Sequence, residues 1–194
     1  MSPQHIRIAE LAKKDKERKF SSIAHLLTVE ALHKAFRDLR KDASAGVDRV
    51  TYTEYATEVQ KNLEPLHDRL KSGKYRAQPL RRIYIPKEDG RQRPISIPSL
   101  EDKIAQKAVV DLLNAIYEQD FLDCSYGFRS GRGPQDALDG VGRIICRRPI
   151  TTILEADISG YFDAIVRSLL IEMIEKRVCD GSILRLIGKW ITLA

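Results

Sequence analysis

The chain has 194 residues, 43% of them hydrophobic, which is enough for the core of one domain or two small ones and excludes a disordered tail. Thirty-three Lys and Arg against 27 Asp and Glu leave a formal charge of +6, which favours a polyanionic partner. Cys124, Cys146 and Cys179 lie far apart with no C-x-x-C spacing, excluding a zinc knuckle or disulfide framework and pointing to a reducing cytoplasm. No run approaches the roughly 18 consecutive apolar residues of a membrane span, and the N-terminus has no apolar signal core, so no membrane is expected.

In chain order, Ile6 to about Lys19 and Thr28 to Lys41 read as basic amphipathic helices, the second with Leu32, Ala35, Phe36 and Leu39 at helical spacing. On their residues alone these are solvated helical faces. Ser44 to Asp48 reads as a turn. Thr53 is expected to cap a helix with Tyr55, Val59, Leu63 and Leu66 on one face, ended by Ser72-Gly73. Leu80–Pro86 and Arg91–Ile97 are two β-rich runs joined by Glu88-Asp89-Gly90, the pattern of a hairpin. Charge concentrates here, because residues 69–93 carry nine basic side chains against two acidic ones.

A three-residue connection with Gly90 left-handed pairs Lys87 with Arg91 and Ile85 with Arg93, and puts Lys87, Arg91 and Arg93 on one face. Two readings fit such a hairpin. It closes over a triphosphate, whose charge calls for several donors, or it is an exposed edge that uses charge against aggregation.

Ser99 opens a helix in the manner of a capping box, with Asp102 where Glu or Gln is usual. Ile104, Ala108, Leu112 and Ile116 form one ridge and Ala105, Val109 and Leu113 the next, so this helix belongs to the core, running to about Gln119. In Cys124–Leu138, aromatic residues and arginines interleave with glycines before Pro134 starts a new helix. Such a loop seats a phosphate while Tyr126 or Phe128 stacks a base, or it is an ordinary helix-to-helix connection. Thr151–Asp157 reads as a buried strand that delivers Asp157 at its C-terminal end. Beyond Gly160 the chain turns helical through Ile165, Leu169, Leu170 and Met173, with Asp163 as the expected N-cap, and a last helix starts near Ser182. His5, His25, His33 and His67 have no ligand spacing and read as structural or surface residues.

Five segments in order, Ala45–Asp48, Ile85–Ile95, Ile97–Lys103, Ser125–Arg129 and Ala156–Asp163, resemble bacterial group II intron reverse transcriptases, also called maturases. The resemblance extends over essentially the whole chain. It implies an α+β fold, a mostly helical fingers region with a basic β-hairpin followed by the start of a polymerase palm. In those terms residues 1–52 are a basic N-terminal extension, 53–150 the fingers and 151–194 the beginning of the palm.

By matching positions, the resemblance makes Asp157 the first metal-binding catalytic aspartate, with the Ile158 carbonyl as an additional ligand. It makes Phe162 the aromatic gate beneath the sugar, and Lys87 and Arg93 the grips on the incoming triphosphate. It places Arg91, Tyr126, Phe128, Arg129 and Arg132 toward template or intron RNA. The implied partners are group II intron RNA, an RNA template with a DNA primer, and dNTPs, and dimerisation is left open. The implied cofactor is Mg²⁺ in a two-metal site, which one aspartate cannot complete.

The family's further aspartates lie in a Tyr-x-Asp-Asp hairpin, and no such motif occurs in these 194 residues. The expectation is therefore an RNA-directed DNA polymerase fragment, or shortened frame, inactive alone. Alternatives are a non-catalytic module that binds intron RNA for splicing and a fragment of a CRISPR-associated reverse transcriptase. A second departure is Ala164-Ile-Val-Arg167 after Asp163, where the family commonly has Ile-Asp-His. It replaces an acid and a histidine with an apolar side chain and a cation.

Overall fold

The computed structural model describes residues 2–86, 90 and 92–193. Helix α1 (Pro3–Lys14) is capped by Ser2, whose hydroxyl accepts from the His5 N–H, and α2 (Val29–Asp38) by Thr28, whose hydroxyl accepts from the Ala31 N–H. These short side chains satisfy donors that a first helical turn leaves free. α1 stops five residues short of Lys19, where Asp15 turns extended and its carboxylate accepts from the Glu17 N–H. The single helix expected from Thr53 is two, α3 (Tyr52–Thr57) and α4 (Val59–Lys71). The cap is Thr51, which forms a reciprocal capping box with Glu54, and Asn62 bonds the Tyr55 carbonyl across the break at Glu58.

Strands β1 (Arg81–Pro86) and β2 (Gln92–Ile97) form an antiparallel hairpin in which Ile85 faces Arg93 and Arg81 faces Ile97. That is the expected register, and Gly90 is left-handed at φ +80°. The pairing of Lys87 with Arg91 lies outside the described residues. Period two puts Arg93, Ile95 and Ile97 on the face of Ile85, Ile83 and Arg81. Ile97, at the base of that face, is buried, so Arg93 stands near its exposed tip.

Helix α5 (Leu100–Tyr117) starts at the Ser99 cap and presents Ile104, Ala105, Ala108, Val109, Leu112, Ala115 and Ile116 to the core. α1 and α2 pack on it, α4 packs on α2, and Leu32, Leu63 and Leu66 are fully buried among them. The Ala45–Asp48 turn explains its glycine here. A Cβ on Gly46 would lie 2.5 Å from Ser99 Cα and 2.7 Å from the Pro98 carbonyl oxygen, and neither backbone atom can yield. Gly46→Ala is therefore expected to destabilise the chain by about 1–3 kcal/mol through overpacking, read as a lowered thermal midpoint.

Helix α6 (Pro134–Arg147) begins at the expected proline, buries none of its residues, and leaves Leu138, Val141, Ile144 and Ile145 exposed as an apolar stripe. Helices α7 (Arg167–Glu175) and α8 (Gly181–Leu193) pack together and return to the N-terminal segment through a parallel bridge between Phe20 and Val178.

Two expectations fail in this region. Thr151–Asp157 is not a buried strand, because every residue from 151 to 158 is exposed and without regular pairing. An extended run becomes a strand only when a neighbour takes up its N–H and C=O groups, and among the described residues β1 and β2 pair only with each other. Asp163 is not an N-cap either. α7 starts at Arg167, and its N-cap residue, Val166, makes no side-chain cap bond.

Candidate nucleic-acid and nucleotide site

Residues 118–132 form an arginine-stitched loop. The Arg129 side chain is only 6% exposed, and its guanidinium is spent internally, at 2.9 Å and 3.1 Å on Glu118 Oε2, 2.9 Å on the Leu122 carbonyl and 2.7 Å on the Ser125 carbonyl. It also lies over the Phe121 ring at 4.9 Å. Arg132 donates to the Asp123 carbonyl at 2.5 Å and sits 5.5 Å from the centre of the Tyr126 ring. Of the residues that sequence points toward RNA, the structure thus brings Tyr126 and Arg132 together. Arg129 acts on the shape of the loop that carries them.

Tyr126 reaches across to α6, where a Cβ on Gly140 would lie 2.6 Å from its hydroxyl oxygen. The space between this loop and α6 is an open groove of about 920 Å³ lined by Tyr126, Arg132, Arg143 and Arg147 with Asp136 and Asp139. Phe128 is not among the residues that line this groove. Its side chain is fully exposed and its φ is +57°, a left-handed conformation that is uncommon for a bulky residue. An exposed ring held by an unfavourable backbone is a feature that packing does not call for.

Asp157 and Ile158 lie in the exposed 151–158 segment. Phe162 follows on a turn, 73% exposed, edge-on to Tyr161 with ring centres 5.3 Å apart. Arg93 is exposed on β2, and among the described residues no hydrogen bond or ion pair is seen between it and Asp157 or Phe162; Lys87 and Arg91 lie outside the described residues. Among the described residues, no group of three or more His, Cys, Asp or Glu side chains is placed to hold a metal ion. The Asp157 carboxylate and the Ile158 carbonyl are hard oxygen donors of the kind Mg²⁺ takes, but they are too few to form its site.

A family profile described as reverse transcriptase (RNA-dependent DNA polymerase) matches residues 85–193. The chain belongs to the reverse transcriptase family. Its similarity to group II intron proteins places it on that branch. It is 32% identical to the group II intron-encoded protein LtrA of Lactococcus lactis subsp. cremoris over 168 residues, covering 86% of this chain and 28% of LtrA. It is 37% identical to Protein YkfC of Escherichia coli K12 over 149 residues, 75% of this chain and 39% of that protein. A 91 kDa protein in the cob intron of Schizosaccharomyces pombe is 37% identical over 120 residues, 62% of this chain and 15% of that protein. The chain therefore spans well under half the length of these relatives.

For a reverse transcriptase, two groups that sequence reasoning missed are decisive for the frame. Asp180, 7% exposed, accepts from the Ile23 and Ala24 N–H groups through Oδ2 and from those of Ser182 and Ile183 through Oδ1. Burial alone would raise its pKa, but the four backbone donors outweigh that and hold it below the usual carboxylate value. Arg177, 6% exposed, reaches Asp120 at 3.5 Å and the Ala12 carbonyl at 3.4 Å, tying the α7–α8 turn to α1. The sequence offers a partial signal only for Asp180, as an acid just ahead of a helix.

Proposed function

We propose that this chain forms the fingers and the start of the palm of an RNA-directed DNA polymerase encoded by a group II intron, and that it does not polymerise alone. Arg93, with Lys87, grips the triphosphate of an incoming dNTP. Asp157 and the Ile158 carbonyl are the first ligands of catalytic Mg²⁺, and Phe162 screens the sugar 2′ position. Phe128, Tyr126 and Arg132, with Arg91, face an RNA template paired to a DNA primer or the intron RNA, while Arg129 shapes their loop. Its place is a reducing cytoplasm, consistent with three exposed free thiols; no described helix is long and apolar enough to cross a membrane.

The observation that carries this reading is the ordered set of family segments, with the hairpin register that puts Arg93 opposite Ile85. The exposed apolar stripe of α6 and the unpaired 151–158 segment agree with a palm that is only begun.

Two measurements test it. Primer extension by the chain with Mg²⁺ and dNTPs should give no product, and robust extension would sink the reading of Asp157 as one ligand among absent others. Replacing Lys87 and Arg93 by Ala should weaken dNTP binding about tenfold or more while intron RNA binding falls far less, since each charge-assisted bond contributes about 1.5–3 kcal/mol. Equal losses for both ligands would refute the triphosphate assignment. A second reading, a non-catalytic module that binds intron RNA, is favoured by the lone exposed Asp157. It predicts intron RNA binding with no dNTP binding at all.

A further inference from the structure

A two-stranded hairpin is marginal in water, and among the described residues of this one only Ile97 is buried, so its orientation must be set from its root. Both ends of the root converge on the first turn of α5. The exit runs from Ile97 through Pro98 into the Ser99 cap. The entry is held by Asp102, which is 2% exposed. Its Oδ1 accepts from the Tyr75 hydroxyl, and its Oδ2 accepts from the Gln78 N–H at 2.9 Å, three residues before β1.

A buried carboxylate to which no cation is bonded among the described residues is a costly way to fill space, which an apolar side chain would fill better. What it provides is geometry, because two fixed oxygens hold two points of the 75–78 segment at once. The network continues into α8. The Trp190 indole N–H donates to the Tyr75 hydroxyl at 2.9 Å, with the two rings edge-on at 6.2 Å. Lys189 donates to the Tyr75 carbonyl at 2.5 Å and to that of Gly73 at 3.3 Å. Tyr75 is 2% exposed, and burial followed by the Asp102 bond pushes its hydroxyl pKa up, so it remains a donor.

We propose that Asp102 is a positioning residue for the hairpin, forming with Tyr75 and Trp190 a latch through which the docking of α8 sets the orientation of β1 and β2. The grip of Arg93 on a triphosphate then depends on α8, a helix that carries none of the residues assigned to the nucleotide. The last step rests on the hairpin's role under Proposed function.

The test uses the full chain with Tyr75→Phe, Trp190→Phe and Asp102→Asn, followed by amide hydrogen exchange and by equilibrium binding of Mg²⁺–dNTP. Loss of one latch bond should speed exchange in 81–86 and 92–97 by about fivefold to tenfold while Ile104–Ile116 of α5 is unchanged. Binding of dNTP should weaken by a similar factor and RNA binding, which Arg91 shares with Tyr126, Phe128 and Arg132, by much less. Unchanged hairpin exchange would overturn the latch, as would equal acceleration throughout the core, which marks a merely structural network. If Asp102→Asn does not fold, Tyr75→Phe decides the matter, since it removes both bonds of the hydroxyl while keeping the ring, and Trp190→Phe, which removes one bond together with ring volume, supports it. If the hairpin loosens but the unmodified chain binds no dNTP, the latch stands and the reading of the hairpin as a nucleotide grip fails. If the unmodified chain binds dNTP and the loosened variants bind it equally well, the coupling to the nucleotide is overturned.

Discussion

Asp180→Ala is expected to lower stability by roughly 3 kcal/mol, one of the two largest single-residue losses foreseen in this chain. The carboxylate satisfies two N–H groups at the start of α8 and two in the Ile23–Ala24 segment, some 157 residues away in sequence. Removing it strands all four donors, those of Ile23 and Ile183 in buried positions and those of Ala24 and Ser182 in half-buried ones. At roughly 2–4 °C per kcal/mol for a chain of this size, the thermal midpoint should fall by about 6–12 °C. Asp180→Asn retains one acceptor oxygen and should lose about half as much.

The same group makes stability depend on pH. The folded pKa of Asp180 lies below its unfolded value, so its contribution is complete above the unfolded carboxylate pKa of about 4 and is lost as pH falls through the folded value. Chemical denaturation at pH 7 and at about pH 3 should thus show a smaller gap between the native chain and Asp180→Ala in acid. An equal gap at both values would mean that the carboxylate's charge contributes nothing.

The second large effect is Arg129→Ala, with an expected loss of roughly 2–3 kcal/mol. Its guanidinium is buried and makes four hydrogen bonds, whereas Glu118 is 25% exposed, which moderates the cost of leaving the acid unpaired. The Ser125 carbonyl would lose this donor and the Leu122 carbonyl would keep only the Ser125 N–H, so the loop carrying Tyr126, Phe128 and Arg132 should loosen. Arg129→Lys should not restore it, since a point charge cannot reproduce a fork that meets a carboxylate and two carbonyls together. Limited proteolysis within 118–132 checks the local part, and denaturant midpoints check the magnitude. Phe128→Ala is the contrasting substitution. It removes an exposed ring from a left-handed position, so stability should change little while affinity for single-stranded RNA falls. A loss of RNA binding with Arg129→Ala and none with Phe128→Ala would move the binding role from the ring to the loop's shape.

Much of the frame was legible because it rests on local chemistry. Ser99 and Pro134 mark helix starts that depend on the first turn's own donors, and the ridges of α5 follow from spacing alone. The hairpin register came from a loop length and a glycine able to be left-handed. The candidate site was legible in another way, through five segments whose order resembles a family. That ordering names Asp157, Phe162 and Arg93 without needing them near one another. The missed residues share a trait: their partners are remote. Trp190 meets Tyr75 across 115 residues and Asp180 meets Ile23 across 157, separations on which periodicity is silent.

The sequence by itself determined the family, the α+β class, the basic hairpin with its pairing, and most helix positions, because these depend on neighbours along the chain. Only the tertiary structure decided that Arg129 faces inward, that Asp102 and Asp180 are buried fasteners, and that Thr151–Asp157 is unpaired. A hydrogen bond to a distant group, or a strand's need for a partner, is a property of what the fold brings alongside, and no local pattern of residues contains it.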